Sequence, residues 1–68
     1  MKTLKQIKND DRVSEVEICY DDYEEKRFYL VNLKDGYVFN DGTHVNRAGT
    51  VKELNELLKE IETEAILK

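Results

Sequence analysis

The spacing of hydrophobic residues changes along the chain, and each change marks an element. Leu4 and Ile7 lie three apart behind Thr3, whose spacing to Gln6 is that of a capping box, so residues 3 to 9 predict about two turns of helix. Isolated helices below about 12 residues are marginal in water, so this one needs a surface on which to dock Leu4 and Ile7. From Val13 to Tyr20 the period becomes two. Val16, Ile18 and Tyr20 share one side while Glu15, Glu17 and Cys19 share the other, which predicts a strand with one wet face. The polar stretch Asp21 to Lys26 separates it from a second strand, Arg27 to Leu33, rich in aromatic and branched residues, and the two read as a hairpin. Phe28 and Leu30 oppose Tyr29, Val31 and Leu33, and this two-sided pattern predicts a central position in the sheet.

Lys34-Asp35-Gly36 signals a tight turn, because glycine reaches positive φ without a steric penalty and aspartate hydrogen-bonds the turn backbone. Tyr37 to Asn40 should return as a third strand. Asn40-Asp41-Gly42 repeats the signal, leaving Thr43 to Asn46 as either a short fourth strand or a loop. Thr50 stands three residues before Glu53, the spacing at which the threonine hydroxyl accepts from the Glu53 N–H and the carboxylate reaches back to the Thr50 N–H. Leu54, Leu57, Leu58, Ile61 and Ala65 then follow helical spacing, with Val51 extending the stripe. The expected fold is a two-layer α+β domain: a short N-terminal helix, a three- or four-stranded antiparallel meander, and a long C-terminal amphipathic helix packed on one face.

Length makes this a single domain over residues 1–68, and a domain near this size buries only about 60% of its unfolded surface. No proline and only three glycines leave no linker or repeat in view. The single cysteine excludes an internal disulfide and any multi-cysteine metal framework, as fits a reducing cytosol. The N-terminal Met-Lys-Thr-Leu-Lys leads into polar residues rather than an apolar signal core, so the expected compartment is the cytoplasm. A net charge of −4 with a pI of about 4.9 argues against direct duplex binding.

That charge is unevenly placed. Residues 10 to 25 hold eight acids against Arg12 alone, a net of −7, whereas residues 1 to 9 and 26 to 52 each carry +3. Glu15 and Glu17 should project from one strand face about 7 Å apart, and the hairpin tip adds Asp21, Asp22, Glu24 and Glu25, with Tyr20 and Tyr23 interleaved. Carboxylates pair with lysine and arginine and tyrosine supplies rigid contact area, so these eight residues form the candidate site for a basic protein surface. The competing reading is a solvated tip whose charges guard an edge strand. Nothing matches a calcium-loop spacing, and no metal or cofactor is expected. Cys19 and His44 are the one candidate nucleophile and base, without a visible orienting group, so no catalytic residue is assigned and the chain is read as a non-enzyme. Lys2, Lys5 and Lys8, at threefold spacing that would line one side of the short helix, with Lys26, Arg27, Arg47 and Lys52, offer a small basic patch, outweighed by the overall charge.

In element order the chain resembles some small phage anti-CRISPR proteins. It shares a lysine-bearing N-terminal helix (Leu4 to Asn9), an acidic three-stranded meander (Val13 to Asn40) and a C-terminal helix (Val51 to Ile66). No diagnostic string accompanies that order, and the resemblance is one of fold. It implies an inhibitor in the host cytoplasm that occupies the site where a larger protein holds nucleic acid. The function expected is therefore a non-catalytic inhibitor or adaptor docking an acidic surface on a basic, nucleic-acid-binding one. The alternative is a structural homodimerisation module that associates through an apolar sheet face or an edge strand, using Tyr29, Val31 or Tyr37.

Overall fold

The computed structural model describes residues 1–64. Helix α1 covers Leu4–Lys8 and begins in the expected capping box: Thr3 Oγ1 accepts from the Gln6 N–H at 3.3 Å, and Gln6 Oε1 accepts from the Thr3 N–H at 2.8 Å. Five residues do not hold a helix alone. Ile7 anchors it by entering the core with no exposed surface. A second anchor comes from helix α2, Val51–Leu58. The Asn55 amide accepts from the Lys2 N–H at 2.8 Å and donates to the Lys2 and Val51 carbonyls, both at 2.9 Å.

Strands β1 (Val13–Asp21) and β2 (Lys26–Leu33) form the antiparallel hairpin, with Val16 opposite Val31, Ile18 opposite Tyr29 and Cys19 opposite Phe28. Val13 faces Leu33 whereas Glu15 faces Asn32, so Ser14 is an extra residue in β1, a bulge. The bulge resets the side-chain parity. Val13 and Val16, an odd number of positions apart, can therefore both reach the interior.

The rest of the sheet departs from a meander. The expected third strand forms as β3, Tyr37–Phe39, but does not join β2. Strand β4 takes that place: it runs over Val45–Ala48, two residues later than the segment left open between strand and loop, and pairs with β2. The main sheet thus has the order β1-β2-β4, and β2 is central as its two-sided pattern predicted. The long C-terminal helix is also corrected. Helix α2 stops at Leu58, and the chain continues as β5, Ile61–Thr63, which pairs antiparallel with β3 in a second, two-stranded sheet. Ala65 and Ile66, assigned to the helix from sequence, lie outside the described residues.

Local chemistry accounts for these paths. Gly36 (φ 93°) and Gly42 (φ 85°) occupy the left-handed region at the two expected turns, where side chains are strained. Asp41 Oδ1 braces the second turn by accepting from both the N–H and the hydroxyl of Thr43, which holds its carboxyl below the usual range. At α2, Thr50 Oγ1 accepts from the Glu53 N–H at 3.2 Å as expected, but the Glu53 carboxylate reaches back one residue further, to the Gly49 N–H at 3.0 Å. Ile7, Val13, Val16, Val31, Leu33, Phe39, Ala48, Leu54 and Leu58 close the core, and Tyr29, Leu57 and Ile61 pack at its margin.

Candidate functional site

The core ends part-way along the hairpin. Val13 and Val16 are buried, but Ile18 and Tyr20, on the same face further along β1, are 55% and 57% exposed. Tyr29 and Ala48, in the row level with Ile18, still belong to the core or its margin, so only the end of the hairpin from Cys19 to Phe28 lies beyond the core cluster.

Side-chain alternation from the observed register sorts the sheet into two faces. The outer face carries Glu15, Glu17, Cys19 and Asp21 of β1, Lys26, Phe28 and Leu30 of β2, and Val45 and Arg47 of β4. None of these contributes to the core. The Arg47 guanidinium lies 4.3 Å from the centre of the Phe28 ring, a cation–π contact that shields part of this face. Ile18, Tyr20 and Arg27 lie on the opposite face.

The eight candidate residues are therefore not one ridge. Glu15 and Glu17 are exposed on the outer face, and Tyr20 points the other way. Asp21 has a structural task at the turn, where its Oδ1 accepts from the N–H of Tyr23 at 2.9 Å and of Glu24 at 3.2 Å. The turn closes through Glu25 at φ 54°, a left-handed position occupied without glycine. Asp22, Tyr23, Glu24 and Glu25 are exposed, Tyr23 almost completely at 96%. Asp21 and Glu24 also line a groove of about 240 Å³ together with Lys26, Arg27, Arg47 and Glu53, so one flank of the tip is electrically mixed.

Among the described residues both ion pairs run to Asp10, and none involves a hairpin carboxylate. Asp10 was legible only as one more acid in the −7 block. Its oxygens accept from Arg12 Nε and Nη2 at 3.0 Å each, the Arg12 N–H at 2.9 Å and Lys2 Nζ at 2.9 Å. The Arg12 guanidinium, above all, holds this carboxyl far below the ordinary carboxylate range, against the opposing effect of burial. Arg12 also reaches the Leu58 carbonyl at 3.4 Å, tying the start of β1 to the end of α2. The sequence signal for this hub was the Asp10-x-Arg12 spacing, one of many local acid–base spacings in so charged a chain.

Cys19 and His44 do not form a pair. Cys19 stands opposite Phe28, whereas the His44 carbonyl accepts from the Leu33 N–H, five positions along β2 and so about 17 Å away. His44 Nδ1 lies 3.1 Å from the Tyr37 carbonyl, which requires the proton on Nδ1. Among the described residues no group of three or more His, Cys, Asp or Glu side chains is placed to hold a metal ion. Lys2 lies before α1 begins and is engaged by Asp10, so the lysines do not line a single helix side. Among the described residues no helix is long and apolar enough to cross a membrane. Comparison with protein-family models, curated proteins and solved structures yields no match.

Proposed function

We propose that this chain is a non-catalytic inhibitor or adaptor that docks its acidic hairpin on a basic, nucleic-acid-binding surface of a larger protein, in the manner of small anti-CRISPR inhibitors. The observation that carries the reading is a hairpin whose tip lies beyond the core cluster, with Glu15, Glu17, Asp22, Glu24 and Glu25 exposed and outside any ion pair among the described residues. Carboxylates left free in this way can pair with lysine and arginine of a partner and steer the encounter. Tyr23 at the tip adds an amphipathic contact with no core role to sacrifice.

The test is to reverse Asp22, Glu24 and Glu25 to lysine together, keeping Asp21 because it holds the turn. Tagged wild-type and reversed chains are then compared in capture from host extract. Wild type should retain a nucleic-acid-binding protein that added duplex DNA or RNA displaces, and should release it near 1 M salt, where screening shortens to about 3 Å. A partner held equally by the reversed chain, or indifferent to salt and nucleic acid, removes the reading.

A further inference from the structure

The open edge of β1 supplies a second, directional element of recognition. Strand β1 is terminal in the order β1-β2-β4. The Lys34 N–H donates to the Arg12 carbonyl and the Leu33 N–H to the His44 carbonyl, which fixes the direction in which each β2 backbone unit points. Since these directions alternate in an antiparallel sheet, Phe28, Leu30 and Asn32 bond to β1 through Cys19, Glu17 and Glu15. The N–H and C=O groups of Val16, Ile18 and Tyr20 therefore point away from the sheet. Among the described residues no backbone or side-chain hydrogen bond engages them.

The side chains beside this edge differ between faces. Ile18 and Tyr20 are more than half exposed on one, and Glu15 and Glu17 are exposed on the other. We propose that the unpaired edge at Val16, Ile18 and Tyr20 accepts an extended segment of a partner protein as an added strand, with apolar residues beside Ile18 and Tyr20 alternating with lysine or arginine beside Glu15 and Glu17. Main-chain bonds give such a contact its affinity and the alternating side chains give it specificity. A second copy of this chain fits poorly. Antiparallel pairing of two β1 edges about Ile18 sets Glu15 opposite Asp21 of the other copy, and like charges directly opposite are destabilising.

This inference rests on the acidic docking reading, and peptide probes separate the two. The probe is a capped, fluorescent peptide of about seven residues alternating Lys and Val, enough to span the open edge. Its controls are a block-ordered peptide of the same composition and an alternating peptide N-methylated on the valines, whose N–H groups face the edge. The alternating peptide should bind about tenfold more tightly than either control, as expected from several backbone bonds gained, and should protect the Val16, Ile18 and Tyr20 amides from hydrogen exchange. Ile18→Pro, which removes one outward N–H at an edge position that tolerates proline, should abolish the difference between the peptides while circular dichroism stays unchanged. Equal binding of all three peptides overturns strand addition and leaves acidic docking standing. Alternating-peptide binding that survives E15K and E17K together overturns the acidic reading. Absence of binding at about 1 mM peptide, a concentration that detects even weak complexes, overturns the strand proposal. So does concentration-dependent protection of the same amides without peptide, the mark of a second copy.

Discussion

Asp10 shows how one carboxylate is set apart from its acidic neighbours. Its side chain is only 5% exposed and accepts from both an arginine and a lysine, so removing its charge leaves Arg12 without a counter-ion beside the end of α2. Asp10→Asn should cost about 2 kcal/mol, the scale of hydrogen bonds to charged groups, and lower the melting midpoint by roughly 10 °C in a domain of this size. The pH dependence follows from the depressed carboxyl. Its stabilisation is fully present above the unfolded value near 3.8 and is lost as pH falls from there toward the folded value. Denaturant midpoints should therefore decline in wild type below about pH 4 and decline less steeply in the asparagine variant. Equal slopes would show that Asp10 is not the group responsible. The Lys2 contact, half exposed, adds little to this sum.

Among the elements, those announced by side-chain chemistry at both ends were legible, and those defined by a distant partner were not. The Thr3 and Gln6 box set α1, and the two aspartate–glycine turns fell where expected because positive φ has a residue signature. Helix α2 has a start signal but no glycine or proline to mark its stop. Ile61 continues the leucine stripe equally well as a helical or a strand residue, and it does pack at the core, from β5. The pairing of Phe39 with Ile61 and Tyr37 with Thr63 decides the outcome, and such long-range pairing leaves no mark in a local pattern. The turn at Gly36 launches β3 toward that partner. A Cβ there would meet nothing within 4 Å, so Gly36→Ala should cost only the left-handed backbone penalty of about 1 kcal/mol, read as a shifted urea midpoint with an unchanged slope. A loss several times larger would mean that the turn, and with it the β3–β5 pairing, had collapsed.

For the molecule as a whole, the acidity legible in the sequence did not reveal its division. Alternation correctly separates Tyr20 from Glu15 and Glu17, but that Val16 is buried while Ile18 and Tyr20 on the same face are exposed depends on the extent of the core, a property of the packed body. Stability should be graded accordingly. The amides of Cys19 and Phe28 are paired across the end of the hairpin, away from the core cluster, and should exchange with solvent faster than that of Val31, which is fully buried. Uniform exchange would indicate that the hairpin opens only with global unfolding.

The bulge at Ser14 turns both Val13 and Val16 inward, and beyond Val16 the side chains of β1 on that face are free of the interior. Beyond Val16 the paired residues could be added or removed two per strand without changing which side chains face inward. Reach is thereby uncoupled from packing, and the arm could be lengthened to suit a deeper cleft without redesign of the body that carries it.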